Sequence, residues 1–229
     1  MLRALILADG DVPSRAVLDG AWPGWDADVD LVIAADGGAR HGPGLGVRID
    51  HWVGDGDSLG EEAIAELAAA GVPIERSPPD KDESDTELAI RAAVRLGADD
   101  LVILGALGGA RIDHALANIG LLGVSELGDR RAVILDGRSR LSLLRTTDRQ
   151  GDPVSASLVG RIGDLVSLLP VGDGVKGVTT SGLLYPLTDE PLVAGTPRGL
   201  SNVIVRSGAQ VRLRAGRLLV IETPATFPA

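Results

Sequence analysis

Asp80-Lys81-Asp82-Glu83-Ser84-Asp85-Thr86-Glu87 places five carboxylates and one lysine in eight consecutive residues. Like charges this close repel, so a fold either disperses them into water or gathers them around a cation. The stretch also carries the marks of a helix start. Ser84 with Glu87 three residues on is a capping-box pattern, and Asp85 suits a helix's first turn. From there Leu88, Ala89, Ala92, Ala93 and Leu96 recur at helical spacing, with Gly97 as the expected stop. Upstream, Val72 to Arg76 reads as a short strand.

The same order of strand, polar loop and helix extends outward on both sides. Leu2 to Ala8 is an apolar run ending at Asp9-Gly10, and Asp28 to Ala35 ends at Asp36-Gly37-Gly38-Ala39. Trp52-Val53 leads into Gly54-Asp55-Gly56-Asp57-Ser58, where Ser58 and Glu61 predict a second capping box and a helix through Ala70. Downstream, Leu101 to Leu104 runs into a loop from Gly105 to His114. A helix over Asp113 to Gly123 and a strand over Ala132 to Leu135 follow. Continuously apolar strands alternating with helices predict an N-terminal α/β domain, a doubly wound, mostly parallel sheet with helices on both faces.

After Leu141 the texture changes to short, glycine-punctuated segments rich in Val, Leu and Thr. These are Val154 to Leu158, Leu165 to Leu168, Gly174 to Thr179, Ser201 to Val205, Ala209 to Arg214 and Leu218 to Glu222. Frequent turn signals without helical periodicity predict an all-β C-terminal domain, a sandwich or barrel. The expected division is therefore residues 1–140 and 141–229, with the boundary between Asp136 and Arg149.

Composition narrows the function. The formal net charge is -10 and aromatics make up only 2%, so the chain offers neither the basic surface nor the stacking rings of a nucleic-acid groove. The absence of cysteine excludes disulfides and thiolate metal sites and fits a reducing, cytoplasmic setting. The N-terminal apolar run is too short for a secretory signal, and no stretch has the length of a membrane span.

In an open parallel sheet, ligands bind beyond the carboxyl ends of the strands. Asp9, Asp36, Asp55 with Asp57, Asp80 to Glu87 and Gly105 to Asp113 all fall at expected strand ends, so acidic and glycine-rich loops converge on one rim. Oxygen ligands without a His or Cys cluster suit Mg²⁺ held together with substrate phosphates. Gly108, Gly109 and Arg111 beside a helix start could hold a polyphosphate through backbone N–H groups and a guanidinium. The expectation is a metal-dependent nucleotide site.

Six motifs then resemble, in order and spacing, the thiamin pyrophosphokinase family. They are Asp36-Gly37-Gly38-Ala39, Gly54-Asp55-Gly56-Asp57-Ser58, Asp80 to Asp85, Gly108 to His114, Gly182-Leu183-Leu184-Tyr185-Pro186-Leu187, and Gly199-Leu200-Ser201-Asn202. Gly56 stands where that family usually has Phe, and Ser84 where it usually has Thr. The resemblance implies transfer of pyrophosphate from ATP to the thiamin hydroxyl with release of AMP, by a homodimer that binds thiamin between subunits. It assigns Asp55, Asp57 and Asp85 to Mg²⁺ and Arg111 to the phosphates. It puts Asp36, Gly37, Gly38, Lys81, Gly108, Gly109 and Asp113 around ATP, and Tyr185, Ser201 and Asn202 at thiamin. Asp82 or Asp85 would take the hydroxyl proton. His114 reads as a helix-start residue. Three alternatives stay open: a pyrophosphokinase acting on a pterin alcohol, a nucleotide or thiamin sensor without catalysis, and an acidic α/β protein with a β interaction module and no site.

Overall fold

The apolar run after Met1 becomes β1 (Leu2–Leu7), the centre of a parallel sheet. The computed structural model describes residues 1–146 and 153–225. It divides into two units, Met1–Gly137 and the chain from Arg138 onward. Arg149, the far limit of the expected boundary, lies outside the described residues.

In the first unit β1 is flanked by β2 (Leu31–Ala35) and β5 (Ala98–Leu104). Beyond β2 lie β3 (His51–Gly54) and β4 (Ile74–Arg76), and beyond β5 lies β6 (Arg131–Leu135). The order is β4-β3-β2-β1-β5-β6, with every pair parallel. The chain steps outward from β1 to β4, then returns to the other side of β1 as β5. That reversal is a topological switch point, where diverging loops open a crevice at the strands' carboxyl ends.

Helices cover both faces. Leu5, Leu7, Val32 and Val102 share one core with Leu18 of α1 (Arg15–Ala21) and Ile64 of α3 (Glu61–Ala69). The alternate residues Ala4, Ile6, Ile33 and Ile103 are buried on the opposite side. There α4 (Asp85–Arg95) packs against β1, β2, β3 and β5, with Ala89, Ile90, Ala92 and Ala93 buried. The remaining helices are α2 (Gly42–Leu45) and α5 (Ile112–Leu121). Burial on both faces is why these strands read as unbroken apolar runs.

The two expected capping boxes separate here. Ser84 caps α4 as its pattern implied, its hydroxyl accepting from the Glu87 amide at 3.2 Å. The Ser58–Glu61 pattern does not form: α3 begins at Glu61 behind Gly60, which has φ 91°. Glu61 instead pairs with Arg76 at 2.6 Å, and the Ser58 amide donates to Asp36. Tertiary partners took both groups that the local motif would have used.

The second unit is antiparallel. Its strands are β7 (Arg140–Arg145), β8 (Val154–Ser157), β9 (Leu165–Ser181), β10 (Glu190–Leu192), β11 (Asn202–Val203), β12 (Gln210–Leu213) and β13 (Ala215–Thr223). They run in the order β7-β13-β9-β12-β8, with β10 and β11 also on β9. The expected separate segments Leu165 to Leu168 and Gly174 to Thr179 are one strand of 17 residues. Gly172, Gly174 and Gly177, at φ 83°, 110° and 69°, bend it rather than end it. The bent strand pairs with β10, β11, β12 and β13, around a core that includes Val166, Val178, Val211 and Leu218.

Glu222 on β13 is fully buried in this unit. Its carboxylate accepts from the Val159 and Gly160 amides and from Arg140, each at 2.7 Å. Glu222→Ala strands a guanidinium and two amides, so it should cost about 3 kcal/mol. The expected readout is a clearly lowered melting temperature, with Glu222→Gln falling between; an E222A melting curve matching the wild type would show the network contributes nothing.

Candidate active site

The crevice begins where the ends of β1 and β5 touch backbone to backbone. The Gly10 amide donates to Gly105 O at 3.0 Å. A side chain on Gly10 would collide with the Gly105 carbonyl, and one on Gly105 with that of Ala8. The double glycine after β2 has a related reason. A Cβ on Gly38 would overlap the Leu7 carbonyl, and one on Gly37 the Asp9 carboxylate. These two glycines let β2's exit pack against β1, and neither lines the cleft.

Asp36 sits between these loops. It is buried, with φ 42°, a left-handed conformation that Asp tolerates better than most residues. Its carboxylate accepts from the amides of Gly56 and Ser58 at 3.3 Å and Leu59 at 3.0 Å, and its carbonyl accepts from the Trp52 indole at 3.0 Å. Asp36 therefore shapes the loop after β3. Burial pushes its carboxyl above the ordinary value, against the pull of the Leu59 and Ser58 amides. In that loop Gly56 has φ 90°, and a Cβ there would lie 2.7 Å from Ile64 Cδ1. The positive φ favours glycine at this position, and a larger residue would also have to displace the Ile64 methyl.

Carboxylate oxygens of Asp36, Asp55 and Asp57 lie within 4.8 Å of one another. Carboxylate oxygens are the ligands Mg²⁺ prefers, so this set is a candidate to hold the ion once the side chains draw together. The expected third ligand, Asp85, is not in this trio. It occupies the first turn of α4, with Lys81 Nζ 2.9 Å from its Oδ1 and 3.2 Å from Asp55 Oδ2. The ammonium is close enough to Oδ1 for an ion pair but not aligned for a hydrogen bond, so that buried oxygen has no hydrogen-bond partner. Burial raises the Asp85 carboxyl above its usual value, with the charges of Asp55 and Asp57 adding and Lys81 opposing. Asp55 is lowered, first by the Asp57 amide it accepts from at 3.1 Å.

These groups border a cleft of about 490 Å³ that Asp36, Asp57, Lys81, Asp85, Gly109 and Arg111 help to line. Asp82 is exposed and is not among the lining residues. Gly108 and Gly109 line the cleft, but the Gly109 amide donates to Asp11 at 3.0 Å. Arg111 pairs with Asp113, whose carboxyl is thereby held down at about 2. Asp113 thus engages its neighbour's guanidinium, and α5 begins one residue earlier than expected, without a side-chain cap. His114 is exposed on the cleft wall. Arg40 and Asp11 escaped the sequence reading. Arg40 donates to Asp9 at 2.7 Å and to Ser58 O at 2.8 Å, tying the ends of β1 and β3. No spacing motif marks either residue; both act across distant loops.

The remaining expected residues belong to the second unit. Asn202 accepts from the Tyr185 amide at 3.0 Å and donates to the Tyr185 carbonyl at 2.6 Å, so it fixes that residue's backbone. The Tyr185 side chain is exposed. Ser201 has φ 57°, and its amide donates to Ser167 Oγ at 3.1 Å.

Two family models match the chain: thiamin pyrophosphokinase, catalytic domain, over residues 25–133, and thiamin pyrophosphokinase, vitamin B1 binding domain, over residues 154–218. The chain belongs to the thiamin pyrophosphokinase family. It is 24% identical over 170 residues to a thiamine pyrophosphokinase of Bacillus subtilis, covering 74% of this chain and 76% of the relative. The solved structure of a B. subtilis thiamine pyrophosphokinase matches with TM-score 0.79 at 23% identity, over 97% of this chain and 99% of that one. The thiamin pyrophosphokinase structure from Geobacillus thermodenitrificans matches with TM-score 0.75 at 26% identity, over 97% of each chain.

The three amides that the Asp36 carboxylate accepts make the loop geometry depend on it. Asp36→Ala loses all three amide contacts and puts Ala at a left-handed φ, so it should destabilise by about 2–4 kcal/mol. Asp36→Asn tolerates that backbone and keeps an acceptor, so thermal melting should rank it between the two. Equal melting temperatures for D36A and D36N would refute this role.

Proposed function

We propose that this protein transfers pyrophosphate from ATP to the hydroxyl of thiamin, giving thiamin diphosphate and AMP, with the first unit's cleft holding Mg²⁺ and ATP. The observation that carries the site assignment is the gathering of Asp36, Asp55 and Asp57, of which Asp36 and Asp57 line the cleft together with Lys81 and Arg111. Asp85 Oδ1, which already faces the Lys81 ammonium at 2.9 Å, fits a cation-binding role as well. Asp55 and Asp57 would hold the metal with Asp36 or Asp85, and the ion would neutralise polyphosphate charge. Arg111, released from Asp113, would clamp phosphate oxygens, and the glycine loop at Gly108 and Gly109 would border the chain of phosphates.

The chemistry is an in-line displacement. The thiamin oxygen forms a bond to the β-phosphorus, the bond from that phosphorus to the oxygen bridging the α-phosphate breaks, and AMP leaves. Such transfers depend mostly on positioning and charge neutralisation. Of the two carboxylates expected to accept the hydroxyl proton, Asp85 lines the cleft and Asp82 does not.

Tyr185 and Ser201 in the second unit would contact thiamin, with Asn202 positioning Tyr185. Leu184, Tyr185 and Leu200 are exposed there, which supports a surface covered by substrate or by a second subunit of a homodimer. A cytoplasmic location is supported by the lack of cysteine. Among the described residues no helix is long and apolar enough to cross a membrane.

The test is AMP formation from Mg²⁺-ATP with and without thiamin, with the product identified by mass. Thiamin-dependent AMP and a diphosphate ester are expected, abolished by EDTA. Asp57→Ala should lower kcat/KM at least about 100-fold, on the scale of losing one electrostatic contact to the transferring group. Turnover and metal dependence unchanged in D57A would remove the metal assignment, and a pterin alcohol accepted in place of thiamin would overturn the acceptor.

A further inference from the structure

Lys81 stands out in composition and in place. Of 22 basic residues only Lys81 and Lys176 are lysines. Its side chain is 10% exposed, and its ammonium lies between carboxylates delivered by different elements, Asp55 from the end of β3 and Asp85 from the first turn of α4. Asp55 is also one of the three carboxylates gathered for a cation. An ammonium and a divalent ion on the same carboxylate repel strongly in a partly desolvated cleft, so the two compete for it.

The residue type suits an exchange. A lysine is a compact point charge on a flexible stem with three rotatable donors, whereas a guanidinium is a rigid fork that favours a fixed partner. Arg40 and Arg76 around the same rim are each engaged in a side-chain ion pair of that kind. Lys81 also lines the cleft that polyphosphate would enter, so a second class of anion lies within its neighbourhood.

We propose that Lys81 is a resident counter-cation of the metal site, handed from Asp55 and Asp85 to the phosphates as cation and nucleotide bind. Lys81 holds the two carboxylates together, yields them to a divalent ion, and its displaced charge then favours the nucleotide. Cation and nucleotide affinities are thereby coupled through one side chain. This rests on the Mg²⁺ and ATP reading above.

The experiment is calorimetric titration of the full chain with Mg²⁺ alone, with α,β-methylene-ATP in EDTA, and with both together. For wild type, Mg²⁺ alone should bind weakly and much more tightly once the analogue is present. Lys81→Met should bind Mg²⁺ alone at least about tenfold more tightly than wild type, and the gain from added analogue should shrink by a similar factor. Circular dichroism in EDTA confirms folding, and Lys81→Gln, neutral but still a donor, carries the test if K81M does not fold. A folded neutral variant that binds Mg²⁺ alone no more tightly than wild type overturns the hand-off while the Mg²⁺-ATP reading stands. Wild type that binds neither Mg²⁺ nor the analogue overturns both.

Discussion

The Asp36 carboxylate is the contact on which the site depends. It leaves β2 in a left-handed conformation and accepts three amides from the loop after β3. Without those amides, a buried carboxylate beside Asp55 and Asp57 would be strongly disfavoured. With them, the amide dipoles offset part of the repulsion and the loop takes one shape. The Trp52 indole on the Asp36 carbonyl joins this corner to the core.

Around that corner the charged groups are compensated within the protein. Lys81 bridges Asp55 and Asp85, Arg111 pairs with Asp113, Arg40 with Asp9, and the Gly109 amide with Asp11. Each of these four cationic or donor groups is matched by an internal carboxylate. In a chain with formal net charge -10 this arrangement keeps a dense set of acids compatible with folding. Binding at such a site is then an exchange of partners, in which the gain from each new contact is reduced by the pair it replaces.

Much of the frame was legible in the chain. Apolar runs ending in Asp or Gly marked β1, β2, β3 and β5 because a sheet covered on both faces must bury both sides of each strand. Ser84 with Glu87 marked the start of α4 because a capping hydroxyl acts within its own turn. Signals failed where a distant partner intervened. Ser58 and Glu61 have the spacing of a cap, yet Asp36 and Arg76 claim them. The glycines of β9 have the composition of turns, yet four neighbouring strands hold them in one bent strand.

By itself the sequence determined the two-part texture of the chain, the order of elements in the α/β half, and the set of acidic and glycine-rich loops that meet at one rim. Those properties follow from local periodicity and residue type, which are written in short windows. Only the tertiary structure decided which acids meet. It placed Asp36 with Asp55 and Asp57, drew Lys81 to Asp55, left Asp82 in solvent, and turned Asn202 onto the Tyr185 backbone. The reason is that carboxylates, ammonium groups and backbone amides choose partners by distance in space, and that distance is set by strand order and loop packing.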